Sequence, residues 1–417
     1  MKAVVIGPGR IGCGFAGQLL RESGWEVSFL GREPVVRRLQ RMGRYVVRLV
    51  EGITSDDIVV AGISAVCLAN SRAAVAEIAA ADLVVTAVGA TNLLAVAPVI
   101  AAGLARRRKA TNVIAFENLA RAGPHLKEQV TGHLPAGCDI EQHGFSGAVV
   151  SRAVSHRLCP LNETEPLVFV GDRPSTFAVD GGALRGTIPD VAGLQAVDDY
   201  EAEVCRKLYS YSAGHAACAY LGYLKGYHFV HTAVRDPEIR AIVREAMVEG
   251  QRGLAARYGP ARAGTEADLD AVMERFANAG LADPIVRVGR DPRRKLSADD
   301  RLVGAARLAT ECGTTPARLA LAMAAAMVFC DPADPACAAM HRELQEDGVA
   351  GVLRSVCGLS SDEGLGRLVA DELRSLVGGW TEGNLMLSLE QRQWSWAGPA
   401  PVSAAPVSAA PVSAAAT

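Results

Sequence analysis

The sequence predicts an α/β protein: an N-terminal Rossmann-type doubly wound domain over residues 1–195, followed by a mainly α-helical domain over residues 196–385. Three observations predict it. From residue 2 to about residue 145, short β-branched runs (KAVVIG, WEVSFLG, YVVRLV, DLVVTAVG, TNVIAFEN and CDIEQHG) alternate with Ala/Leu/Arg-rich stretches. That rhythm indicates a parallel sheet with helices on both faces. Beyond about residue 195 the pattern changes to long segments such as EIRAIVREAMVEGQRGLAARYG and PARLALAMAAAMVF, whose apolar positions recur at helical spacing. The length of 417 residues exceeds what one hydrophobic core usually organises.

Between these two patterns, from about residue 150 to 195, SHRLCPLNETEPLVFVGDRPSTFAVDGG mixes prolines, turn dipeptides and short strand-like pieces, which reads as a connecting β-rich segment. The final stretch, residues 386–417, ends in a PVSAA repeat of small residues and proline that buries nothing, and it is expected to be a disordered tail.

Composition excludes several classes of function. Half the residues are apolar and 21% are charged, as in an ordinary globular enzyme. The 43 basic and 45 acidic residues are mixed along the chain to a net charge of −2, so no basic field would hold a nucleic acid. The N-terminal MKAVVIG runs straight into a glycine turn and no run reaches the length of a membrane span, so neither a signal peptide nor a membrane partner is expected and the cytoplasm is the expected location. Ten cysteines, scattered from Cys13 to Cys357, include no CxxC pair, so they read as reduced, mostly buried thiols. His228 and His231 form an HxxH without an acidic or cysteine partner nearby and read as helix-packing residues, so no metal is implied.

The strand KAVVIG feeds GPGRIG, in which Gly7, Gly9 and Gly12 occupy the three places of a GxGxxG turn, with Arg10 and Ile11 between the last two. Gly7 permits the tight turn, Gly9 lets the backbone approach a pyrophosphate, and Gly12 lets helix and strand pack closely, while the helix N-terminus faces the phosphates. The second strand ends at Leu30 and continues into Gly31 and Arg32, where an NAD-preferring domain usually places a carboxylate. Arg32 can pair with a 2′-phosphate, so NADP(H) is the expected cofactor, with NAD(H) left open because Glu33 stands one position later. Val88 and Gly89 end a fourth buried strand where the chain passes beneath the nicotinamide ribose in such folds.

TAVG, then FEN at 116–118, RKLYSYSAGHAACAYLGYLKG at 206–226 and RVGRDPRRKLSADDRL near 290 agree in order and spacing with the polyol-specific long-chain dehydrogenases, the mannitol dehydrogenase family, which the chain resembles over about residues 1–385. The resemblance implies a zinc-independent hydride transfer between a nicotinamide cofactor and a polyol phosphate/ketose phosphate pair. An unphosphorylated sugar, uronate or cyclitol, or a catalytically lapsed NADP(H)-binding sensor, are the other readings. It also implies a small-molecule substrate as the partner of a monomer or homodimer. By the same resemblance Lys207 matches the lysine acid/base, whose charged form burial would disfavour. His215 matches the family histidine, roughly 80° from Lys207 if the segment is a regular helix. Asn118 matches the first of two asparagine donors, and Ser212 stands at the second. Ser151 replaces an aspartate that holds substrate hydroxyls, Arg287 and Lys295 match basic residues of the substrate pocket, and Cys13 stands where relatives often have arginine. Arg290, Arg293 and Arg294 carry no role over from the family.

Overall fold

The computed structural model describes residues 1–377 apart from Ala120 and residues 159–164, with Val377 described by its backbone alone. The expected PVSAA tail and part of the connecting segment, including Cys159, lie outside the described residues. Among those described, no helix is long and apolar enough to cross a membrane.

The main sheet is built on β1 (Lys2–Ile6), β2 (Glu26–Gly31), β5 (Ile63–Cys67), β6 (Leu83–Thr86), β7 (Asn112–Ala115) and β8 (Gly144–Val150), joined by β11 (Phe177–Asp180) and β12 (Leu194–Val197). Its order is β12-β11-β8-β7-β6-β1-β2-β5. The six strands from β5 to β8 are parallel, and β11 runs antiparallel to β8. Each central strand is buried on both faces: Ala3 and Val5 belong to one apolar layer, Val4 and Ile6 to the opposite one. This double burial explains the near-continuous apolar runs in the sequence and fits a parallel sheet covered on both sides. Because β2 and β6 flank β1, the strand order reverses at β1, and ligands of such sheets bind at that switch point beyond the carboxyl ends.

Two expected strands are placed differently. YVVRLV forms β3 (Arg44–Glu51), but it sits in a second sheet of order β4-β3-β10-β9, with β4 at Thr54–Ala61, β9 at Val154–Leu158 and β10 at Val168–Gly171. The reason is visible in Arg48, which pairs with Asp57 of β4 at 2.7 Å. A strand carrying that ion pair, with its side chains alternating between buried and accessible, suits a sheet with one wet face. A two-residue turn at Gly52 (φ +58°) and Ile53 joins β3 to β4, directly after the run that looked like a lone strand. CDIEQHG also departs from expectation. Ile140–Gln142 is a 3₁₀ turn capped by Asp139, and the strand begins only at Gly144.

The chain beyond β12 is helical as expected, with a core of its own around Ala213–Leu224, Pro237–Tyr258 and Ala317–Val328. The small sheet carries part of it. Asn278 bonds to Val50 and Gly52 at the β3 turn, and Arg275 bonds to Asp172 just beyond β10 at 2.7 and 2.9 Å. The end of the helix Glu266–Phe276 is thereby anchored next to the site described below.

Candidate active site

The glycine turn is wedged between the ends of β2 and β6. Gly7, at φ +102°, donates to Leu30 at 2.8 Å, and a Cβ there would stand 2.5 Å from the Ala87 carbonyl oxygen. At Gly12 a Cβ would stand 1.9 Å from the Gly7 carbonyl oxygen. At Gly9 a Cβ would meet no atom within 4 Å, so the one open side of the turn is where a pyrophosphate would approach the backbone. The helix starts at Arg10 and Ile11 and continues as a π-helical stretch over Gly12–Gly17. Its first amides are the donors that a helix leaves for an anion, so these residues fit a dinucleotide. Cys13 is fully buried in this stretch, and burial pushes its thiol pKa up, which marks it as core.

Arg32 is exposed at the position preceding the helix Glu33–Met42, with no side-chain partner among the described residues. Glu33 is instead paired with Arg37 on its own helix. On the far side of β1, the loop after β6 is held by Glu117, a residue with no role assigned from the sequence. Its buried carboxylate accepts from the Thr86 hydroxyl at 2.6 Å and from the Val88 amide at 2.8 Å. Burial raises its pKa against the pull of these bonds. Glu117 thus ties the Val88–Gly89 turn, where Gly89 has φ +89°, to the segment that presents Asn118 beyond β7.

The helix Tyr200–Arg206, capped by Asp199, passes into a π-helical stretch over Lys207–Ser212 and then into Ala213–Leu224. The Lys207 ammonium lies 3.4 Å from the Asn118 side-chain oxygen, across 89 residues of sequence. Burial pushes the Lys207 pKa down to about 8, and the nearby positive charges of Arg301 and Arg275 push the same way. The π-helical stretch matters here. Its i to i+5 bonding stacks Ser212 one turn after Lys207, whereas a regular α-helix would separate them by roughly 140°. Ser212 is buried at this junction.

The same stretch removes the basis of the 80° relation expected for Lys207 and His215. The nearest charged partner of His215 is Asp283, with Nε2 3.3 Å from the carboxylate, and its ring stacks on Phe276 at 5.0 Å. Asp283 also accepts a fork from Arg287, in part at 2.6 Å. Burial raises the Asp283 pKa, but hydrogen bonds and charge from His215 and Arg287 outweigh it and hold the group down at about 2. Tyr211 links the two halves of the site. It lies 5.6 Å from the His215 ring and beneath the Arg275 guanidinium at 4.7 Å. No local pattern marked Asp283 or Arg275 beforehand; the i, i+4 spacing of Asp283 and Arg287 is the one signal that could have.

The remaining residues are distributed unevenly. Ser151 donates to the Thr176 carbonyl at 2.6 Å and accepts from its amide at 3.1 Å, while its own carbonyl accepts from Arg275. The Lys295 ammonium is buried against the Arg290 carbonyl. Arg293 pairs with Glu343, and Arg294 with Asp291 and Asp300, as structural ion pairs. Arg290 is exposed and has no ion pair among the described residues. Its charge and that of Arg287 reach Arg10, whose pKa is lowered by burial and then by these two charges. Arg10 reaches the Ser155 carbonyl at 3.1 Å. The charges of Arg287 and Arg290 thus act on Arg10, opposed by the carboxylate of Asp283. His231 lies in the short helix Val230–Ala233 and stacks on Phe229, whereas His228 precedes that helix, so only one of the two is helical.

Comparison with known proteins agrees with the fold and gives the family. The model of the mannitol dehydrogenase Rossmann domain matches residues 1–184, and that of the mannitol dehydrogenase C-terminal domain matches residues 196–369. Mannitol-1-phosphate 5-dehydrogenase of Bacillus licheniformis is 36% identical over 389 residues, covering 90% of this chain and 100% of the relative. The enzyme of the same name from Geobacillus thermodenitrificans is 36% identical over 386 residues, covering 90% and 99%. Among solved structures, Pseudomonas fluorescens mannitol 2-dehydrogenase in ternary complex with NAD and D-mannitol has a TM-score of 0.74 at 17% identity, covering 94% of each chain. A D-sorbitol dehydrogenase in substrate-free form has a TM-score of 0.69 at 17% identity, covering 93% and 94%.

Proposed function

The chain belongs to the mannitol dehydrogenase family, and from that premise we propose that it transfers a hydride between NADP(H) and a polyol phosphate/ketose phosphate pair, with Lys207 as zinc-independent general acid/base. The observation that carries the reading is the Lys207–Asn118 contact of 3.4 Å at the carboxyl edge of the sheet. It joins a lysine of lowered pKa to an amide next to the turn that receives a dinucleotide. Gly7, Gly9, Arg10 and Ile11 would hold the pyrophosphate of a nicotinamide dinucleotide, and Val88 and Gly89 its nicotinamide ribose; the bound cofactor would supply or accept the hydride. Neutral Lys207 takes the hydroxyl proton in oxidation and returns it in reduction. In this reading the Asn118 amide and the Ser212 hydroxyl donate to the oxygen on which charge develops. His215, its ring fixed by Asp283 and Phe276, completes the polar wall. The first experiment follows nicotinamide absorbance with NADPH and NADH, each against fructose 6-phosphate and fructose. Oxidation of NADPH confined to the phosphorylated ketose supports the reading; oxidation equally fast with fructose overturns the phosphate part of it.

The phosphate assignment rests on Arg10, Arg287 and Arg290 as a clamp, since fork donors suit an oxyanion. Arg290 is the cleanest probe because it holds no other group in place. Arg290→Ala is expected to raise KM for fructose 6-phosphate about tenfold, the scale of one charge-assisted hydrogen bond, while the residual preference over unphosphorylated fructose narrows by the same factor. Equal effects on both ketoses would remove Arg290 from phosphate recognition.

The NADP(H) preference rests on the exposed, unpartnered Arg32 and on Glu33 being engaged with Arg37. Arg32→Ala is expected to weaken NADPH binding about 10- to 100-fold, the worth of a hydrogen bond to a charged group, with NADH binding moved little. Equal loss for both cofactors, measured by fluorescence titration, would refute it.

A further inference from the structure

The cysteines form no CxxC pair in the sequence, yet the fold gathers two of them with a histidine. Cys330 follows the helix Ala317–Val328, while Cys337 and His341 stand one turn apart, at i and i+4, on the helix Pro335–Val352. One ligand atom from each of Cys330, Cys337 and His341 lies within 4.8 Å of the other two, and among the described residues this is the one group of three or more His, Cys, Asp or Glu that could hold a metal ion. A second observation points to a ligand. His341 is 8% exposed, and its Nε2 has no hydrogen-bond partner, although a buried polar atom left unpaired is costly. The two sulfurs contact each other, and Cys337 also bonds to the Phe329 carbonyl at 3.0 Å and accepts from the Asp331 amide at 3.4 Å.

We propose that Cys330, Cys337 and His341 form a binding site for a thiophilic divalent metal ion, zinc in the first instance, separate from the Lys207 site. Two sulfurs and an imidazole are the donor set that soft and borderline ions prefer over magnesium or calcium. Binding replaces the two thiol protons, which leave to solvent, and gives the stranded imidazole nitrogen a partner. The fourth position of a tetrahedral ion is left to solvent. The site is not idle in the fold. Asp334, between the two cysteines, accepts from the Asp291 amide at 2.6 Å, and Tyr220, whose ring packs on Phe329, donates to the Gly289 carbonyl at 2.9 Å. The loop that carries Cys330 and leads into the helix of Cys337 and His341 therefore braces the segment that bears Arg290.

The full chain, reduced with a non-chelating phosphine and freed of metal, is titrated with cobalt(II) as a spectroscopic probe and then with zinc. The expected result is a thiolate-to-cobalt charge-transfer band in the near ultraviolet that saturates at one equivalent and is displaced by zinc. Zinc should also raise the melting temperature. Cys330→Ser, at the more accessible donor, is expected to lower affinity by more than about 100-fold, beyond the loss seen when only an outer partner of a ligand is removed. His341→Gln should do the same, and Cys312→Ser, outside the group, should leave the titration unchanged. No charge-transfer band in the wild-type chain, a band that survives in Cys330→Ser, or a Cys330–Cys337 disulfide found by mass in the protein isolated under reductant would each overturn the proposal.

Discussion

Lys207→Ala is expected to lower kcat by about 10²- to 10⁴-fold, the range for loss of a positioned general acid/base, while NADPH binding is retained. The lysine contacts Asn118 and sits among positive charges, with no carboxylate partner for its ammonium among the described residues. Its removal therefore breaks no ion pair, and the variant should fold. The sign of the pH dependence follows from the lowered pKa. Burial and the charges of Arg301 and Arg275 disfavour the ammonium, so the neutral base is populated as pH rises through about 8. Polyol oxidation should climb through that pH and level off above it, whereas ketose reduction, which needs the protonated form, should fall over the same interval. In Lys207→Ala both inflections should disappear. Lys207→Arg should be as slow as the alanine variant, because a guanidinium does not release its proton in this range. An alanine variant within about tenfold of wild type, with its pH inflection intact, would move the proton to another group and end the proposed mechanism.

The second large effect separates folding from cofactor binding within one motif. Gly12→Ala would press a methyl group to 1.9 Å from the Gly7 carbonyl oxygen, backbone against backbone, with no flexible side chain able to give way. It is expected to cost about 3 kcal/mol or more, at the upper end of overpacking, and to show as a lowered melting temperature and poor soluble yield. Gly9→Ala places the same methyl group where nothing lies within 4 Å. Its melting temperature should match wild type within the small cost of an exposed substitution, yet NADPH affinity should fall at least about tenfold, because the methyl group occupies the open side of the turn. Calorimetry together with a cofactor titration on the two variants checks both halves. If Gly9→Ala binds NADPH as wild type does, the pyrophosphate does not approach at Gly9.

How much of this was legible beforehand depends on the range of the interaction. The glycine turn was readable because its main demands are local: a positive φ at Gly7 and the close approach of Gly12 to Gly7, five residues apart. The parallel sheet was readable because burial on both faces writes itself as continuous apolar runs. YVVRLV was legible as a strand but not as a member of the second sheet, since only its pairing with β4 and β10 decides which sheet it enters. The π-helical stretch at Lys207 carried no warning in the composition of KLYSYS, and it changes the angular relation that a regular helix would set between Lys207 and Ser212.

The sequence by itself determined the two kinds of architecture and the glycine turn, since periodicity and glycine placement act within a few residues; Lys207 came only from the family resemblance. Only the tertiary structure decided which groups meet. Asn118 reaches Lys207 across 89 residues. Asp283 holds both His215 and Arg287. The charge of Arg290 reaches Arg10, while Lys295 turns inward. Cys330, Cys337 and His341 converge without a recognisable motif. The physical reason is that a contact between distant segments is set by the packing of the elements that carry them, a sum over many weak apolar contacts that no local pattern contains.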